Sequence, residues 1–515
     1  MVVLCNRDDI AMRAKTAILA LTLSLVACNS AYLKDTHEPI IIQNCRQLIS
    51  VTERTISDAG ATDAQNARIT NFPYLRVNRL LSSFRTEVQN QPFESWVDLL
   101  QALGLQDWSI ELNNLPTQYA RELDQLTAEF FPAISPIQSK LTYCSYALRR
   151  FELNQELKRN ELKRNAIVPS EYNTWQQVLG LYPLTAIPFR MGIYRWHQQA
   201  LTTFTSPLLS LPVEGQLILH APEDNTIKLS RKQVAEIIQT STENPLHIPI
   251  PTEPQQQKLF AQFAPHFEID TSSKNDYIGV PQWRDDDNIL INTAKPVVFQ
   301  HISHTRIQLK TLLQLNYSIW FPTRPKEWPL DMLGGHLDGI IWRVTLNADG
   351  NPLIFDSIHS CGCYHFFFPT QYAHMPKSTS LFREPAFAPQ QQFNFNTNQP
   401  TIIRISSNHH YIQKIYSTTA IATTRRHYAF YHADHLRSLT YVNGQNHSLY
   451  NQTGVINGTE RDERFLFWPM GIPNPGAMRQ WGHHATAFIG RRHFDDVNLF
   501  EGILEMLTPT NLIDN

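Results

Sequence analysis

The chain has 515 residues, carries 44 Lys and Arg against 46 Asp and Glu for a formal charge of -2, and is 42% hydrophobic and 11% aromatic. That apolar content supplies ordinary globular cores, and the length allows two or three domains. With no excess of positive charge and no basic stripe, nucleic acid is excluded as an expected partner.

The first element is an apolar run, Ala17–Val26, preceded by Arg13 and Lys15 and followed by Ala27 and Cys28. A basic start, a short apolar run and a small residue before the cut make a secretory signal. The run is about half of the roughly 20 residues that span a bilayer, so it is not read as an anchor. Leu25-Val26-Ala27-Cys28 resembles the lipobox of bacterial lipoprotein precursors. The resemblance implies that residues 1–27 are a signal peptide and that Cys28 becomes the lipidated first residue, with the membrane as partner through that lipid. Asn29 stands where enterobacterial sorting reads Asp for inner-membrane retention, which implies the outer membrane and a periplasm-facing body. Arg7, Asp8 and Asp9 suit a signal poorly, which leaves Met1 and Met12 both open as the start; a start at Met12 would remove Cys5.

From about residue 38 to 205 the apolar spacing is helical, and residues 28–205 are read as one helical region. Leu141, Cys144, Leu148 and Phe151 mark one face of a helix. That helix is expected to run on into Glu156–Asn160 and its repeat Glu161–Asn165, a solvated end. Cys45 and Cys144 both fall on helical segments, and an oxidising compartment favours a disulfide between them over two buried thiols. The apolar stretch Val178–Tyr194 is broken by Pro183 and Pro188 and followed by Arg195, Trp196 and His197. It reads as a buried, kinked helix pair at the domain junction; the alternative is a segment dipping into a membrane leaflet, which its terminal aromatic and basic residues would suit.

Past residue 210 the period changes. Gln216–His220 and Thr226–Leu229 read as short strands, and Pro245–Pro254 as a proline-rich connector. Val297–His301, Leu315–Phe321, Gly339–Leu346, Pro352–His359 and Thr401–Ile405 are further strands, with Asn347–Asn351 as a hairpin turn. A helix is expected near Leu499–Leu507. The fold class is therefore α+β: an N-terminal helical region followed by a mainly antiparallel β domain over residues 206–515.

Of the 20 histidines, 15 lie at or after His301, which directs imidazole chemistry to the β domain. The densest group is His359-Ser-Cys-Gly-Cys-Tyr-His365. Its His359, Cys361, Cys363 and His365 are candidate ligands for zinc, iron or copper. In an extended strand they would share a face, with the outer two about 20 Å apart and out of reach of one ion. A turn at Gly362 would instead fold the histidines back with the cysteines at the tip. A Cys361–Cys363 disulfide and plain structural packing are the alternatives.

His336 and Asp338 resemble the start of the two-histidine, one-carboxylate iron site, with His409, His410 or His427 to complete it. The plainer reading is a turn into the next strand. Arg491, Arg492 and His493 could clamp a carboxylate or phosphate, or pair with Asp495 and Asp496. No nucleophile elbow, zincin helix, phosphate loop or Rossmann fingerprint occurs. Two functions follow. One is a lipid-anchored envelope protein with a transition-metal-binding β domain, enzyme or not. The other is a non-catalytic envelope protein that binds a partner or ligand.

Overall fold

The computed structural model describes residues 38–223, 228–284, 288–376, 383–418, 424–441 and 443–507; the signal segment, Cys28 and Thr226–Ile227 of an expected strand lie outside them. With 34% helix and 25% strand the chain is mixed α+β.

Helix α1 (Ile40–Asp58) buries Ile42, Cys45, Leu48, Ile49 and Ile56, the three-to-four spacing of a single face. After it come α2 (Arg79–Phe84), α3 (Gln91–Asn113), α4 (Thr117–Leu126), α5 (Ile137–Glu152) and α6 (Glu156–Asn165). Cys45 of α1 and Cys144 of α5 are bonded, with Cα atoms 5.1 Å apart. The repeat does not prolong α5: the chain breaks over residues 153–155 and the two copies form α6 on their own. A hairpin of β1 (Ala67–Ile69) and β2 (Phe72–Val77) interrupts the region, where helical spacing alone gave no sign of it. Gly104 lets α3 close onto this hairpin, since a Cβ there would stand 2.6 Å from the Tyr74 carbonyl oxygen.

Helices α7 (Thr174–Leu179) and α8 (Tyr182–Thr205) follow, with Pro183 in the first turn of α8, where its missing N–H costs nothing, and Pro188 inside it. The expectation that this segment is buried fails on one side. Val178, Leu184, Ile187, Met191 and Tyr194 are 56–66% exposed, while Trp196, Ala200, Leu201 and Phe204 pack on the core of the sheet.

A curled ten-stranded sheet forms the rest of the body. Its strands are β3 (Gln216–Pro222), β4 (His266–Thr271), β7 (Val297–Ile307), β8 (Lys310–Arg324), β9 (Gly335–Leu346), β10 (Pro352–His359), β11 (Phe366–Pro369), β13 (Thr401–Ile405), β14 (Ile412–Ser417) and β15 (Arg425–His432). Beside it lie the hairpin β5 (Val280–Trp283) with β6 (Ile289–Asn292) and the short strand β12 (Ala373–His374). The spatial order is β11-β10-β9-β8-β7-β15-β3-β4-β13-β14.

The sheet is mixed rather than mainly antiparallel. β7 through β11 do form an antiparallel meander, but β15 runs parallel to both β7 and β3, and β13 parallel to β4. A strand that returns from a long excursion takes its direction from that crossover, and alternation along its own residues does not encode it.

One face of the sheet carries Tyr317, Trp342, Phe355, Phe366 and Phe368. Phe204, α9 (Arg231–Ser241) and α10 (Glu253–Gln262) cover it. The Pro245–Pro254 stretch is not a free connector, because Leu246 and Ile248 are buried in the core of the helical region. Arg437 ties the two parts together, donating to Asp63 at 3.0 and 3.1 Å and to Asp107 at 2.6 Å. The helix expected near Leu499–Leu507 is absent. Gly502 takes φ +74° there, and Glu505–Met506 pairs with β12 as a strand.

Candidate functional site

The link between β10 and β11 turns sharply at Gly362. The Gly362 N–H donates to the His359 carbonyl at 2.7 Å, and the His359 N–H to the Cys363 carbonyl at 2.9 Å. Gly362 has φ +95°, and a Cβ there would meet the Ala485 carbonyl oxygen at 2.4 Å, so the turn seats against the chain at Ala485 only as glycine. This turn resets the side-chain phase and separates the two histidines.

Asp356 pairs across the sheet with Phe367, and His365, two residues before Phe367, bonds Asp356 through Nε2 at 2.9 Å. His359, an odd number of residues from Asp356, projects from the opposite face. Its Nδ1 is 3.3 Å from Asp338. His359, Cys361, Cys363 and His365 are therefore not brought together as one ligand set. Among the described residues, no group of three or more His, Cys, Asp or Glu side chains is arranged to hold a metal ion.

The second candidate pair also separates. His336 is exposed, while Asp338 is fully buried. Asp338 instead receives His359, His410 through Nδ1 at 2.9 Å, and Arg461 at 3.5 Å. His410 stacks on Phe321 at 3.8 Å, and its Nε2 lies 3.4 Å from Asp276. Burial opposes charge on His410, but bonds to Asp276 and Asp338 prevail and raise its pKa. Burial lowers the pKa of His359, against the pull of Asp338. The result is a buried chain, Asp276–His410–Asp338–His359, that braces the start of β9 against the loop before β14. Of the three histidines offered as partner to this site, only His410 reaches Asp338; His427 bonds the Pro222 carbonyl.

Arg491, Arg492 and His493 do not converge on an anion either. Arg491 donates to Thr174 and Gln177, Arg492 to the Glu384 carbonyl, and His493 Nε2 accepts from the Glu171 N–H. Asp495 pairs with Arg79 rather than with these arginines.

What the turn does build is the wall of a cavity of about 520 Å³. Phe189, Ile193 and Trp196 of α8 line one side, and Phe467, Ile472 and Phe488 another. Cys361 and Cys363 are both free thiols on its wall. They are hydrogen-bonded to each other, which lowers the pKa of Cys361 and, with burial, raises that of Cys363 well above the usual thiol value.

Burial opposes charge on the ionisable groups of the lining. Burial pushes Glu463, in α11 (Glu463–Phe467), up to about 7 against Arg461 and Arg324, and raises Glu384. Burial also lowers His197, stacked on Phe387 at 4.0 Å, and His365 to about 4. An apolar pocket with a few convergent polar groups is the usual form of a small-molecule site.

Sequence reading found the cysteines but not Glu384, Glu463 or the α8 wall. The signal for that wall is the apolar character of residues 178–194, which suits a buried helix and a cavity wall equally. Comparison with known proteins finds no matching family, no matching curated protein and no matching solved structure.

Proposed function

We propose that this chain is an envelope lipoprotein, anchored at the outer membrane through Cys28 and facing the periplasm, that binds an uncharged, largely apolar small molecule over the Cys361–Cys363 turn. The observation that carries the reading is the cavity of about 520 Å³, whose carboxyls and imidazoles burial biases toward their uncharged forms. Such a lining favours uncharged occupants, because a charged ligand would lose its hydration without gaining an ion partner.

Gly192 supplies the test. It lines the cavity, and a Cβ there would meet nothing within 4 Å. Gly192→Phe fills the cavity while replacing a poor helix former in α8. A fluorescent apolar probe such as N-phenyl-1-naphthylamine should bind the natural protein saturably and bind Gly192→Phe at least about tenfold more weakly, with melting unchanged. Equal binding rejects the reading. For the anchor, Cys28→Ser should abolish lipid labelling; unchanged labelling rejects it.

A soft metal ion is the second reading, favoured by two free thiols in mutual contact on the cavity wall. Thiolates select copper(I), which two sulfurs can hold, whereas zinc or iron would call for further ligands. Stoichiometric copper lost on Cys361→Ser but kept on His365→Ala supports this reading. Metal-free protein rejects it.

A further inference from the structure

The outward face of α7 and α8 is apolar and has nothing packed on it among the described residues. Leu184, Ile187, Met191 and Tyr194 recur at intervals of three, four and three, so they form one stripe along α8, each 56–66% exposed. Val178 of α7 extends it. Soluble monomers rarely present a contiguous apolar face of this kind without a partner.

The same segment is free of acid. From Tyr172 to Val213 there is no Asp or Glu, and Arg190 and Arg195 are its only Lys or Arg, in a chain with 46 acidic residues. We propose that this stripe seats α8 on the surface of a lipid bilayer, lying in the interface rather than crossing it, with the cavity opening toward the leaflet.

The charge of the segment favours lipid over a protein partner, and two further observations define the contact. No carboxylate in this segment would repel anionic headgroups, and the exposed Arg195 beside the exposed Tyr194 is a pair suited to a membrane interface. No helix of the described residues is long and apolar enough to span a bilayer, so a membrane contact here is a surface contact. Phe189, Gly192 and Ile193 line the cavity from the same helix that carries Ile187 and Met191 in the stripe, so an apolar molecule could pass from leaflet to cavity with little exposure to water. The role of the cavity in this inference rests on the proposed ligand binding.

The test uses the mature chain from Asn29 without its lipid, which retains every described residue, and flotation with vesicles of phosphatidylethanolamine and phosphatidylglycerol. The natural sequence should float with the vesicles. The double variant Ile187→Glu with Met191→Glu should lose at least about tenfold in bound fraction, with unchanged melting and unchanged uptake of the naphthylamine probe. Leu309→Glu, an equally solvent-facing leucine in the β7–β8 turn that is 77% exposed, should float like the natural sequence.

The proposal is overturned if the natural chain stays unbound, if the double variant floats equally well, or if the natural chain is a dimer that the double variant dissolves. Flotation lost with probe uptake kept by the natural chain refutes the membrane face alone. Flotation kept with no probe uptake refutes the ligand reading and leaves the membrane face.

Discussion

In the helical region acids face arginines: Glu53 meets Arg68 and Arg76, Glu111 meets Arg68, and Asp63 and Asp107 share Arg437. At the cavity, Glu463 is buried and Glu384 half-buried, and among the described residues no ion pair holds either one; burial raises both pKa values, as it raises those of the paired Asp107 and Glu111. The cysteines divide the same way. Cys45 and Cys144, 99 residues apart in sequence, close a loop between two helices, whereas Cys361 and Cys363, two residues apart, stay free. Paired charges and joined sulfurs hold structure, while carboxyls without an ion pair and free thiols leave chemistry available to a ligand.

The largest effect separating the two regions should come from the disulfide. Replacing Cys45 and Cys144 together by Ser is expected to lower unfolding stability by about 4–5 kcal/mol, the chain-entropy value for a loop of this length, measured by urea denaturation. Probe binding at the cavity should survive under native conditions. A loss below about 1 kcal/mol would mean that packing alone holds α1 to α5.

A smaller, pH-dependent effect should come from Glu463. Its folded-state pKa of about 7 lies above its ordinary value of 4.5, so the folded chain holds this proton longer than the unfolded one. Stability from this group is present below about pH 4.5, falls as pH rises, and is lost by about pH 7, on the order of 3 kcal/mol in all. Glu463→Gln should remove that slope, and the difference between the two stability curves isolates it from Asp107, which burial also raises to about 7. Parallel curves between pH 4.5 and 7 would show that Glu463 is ionised in its pocket.

Local regularities carried far in the sequence. The spacing of Leu141, Cys144 and Leu148 gave the buried face of α5, and the Asn347–Asn351 turn joins β9 to β10 as its composition implied. What the sequence hid depends on contacts between distant segments. His359 and His365 differ by an even number, which in one continuous strand would place them on one face; the turn at Gly362 separates them by resetting the phase. Asp338 meets His410 from 72 residues away, a contact made by sheet topology. The direction of β15 is likewise set by its crossover. The apolar Val178–Tyr194 stretch was visible, but hydrophobicity alone does not tell a buried helix from one presenting an apolar face outward.

The central claim is that Cys361 and Cys363 stand in an apolar, charge-excluding cavity, and differential alkylation tests it most directly. N-phenylmaleimide, neutral and apolar, should label this pair at least about tenfold faster than a sulfonated maleimide of similar size, with the modified cysteines located by peptide mapping. Saturating naphthylamine and the Gly192→Phe variant should each suppress that labelling. Equal rates for the two reagents, with no protection by the probe and no effect of Gly192→Phe, would contradict the account.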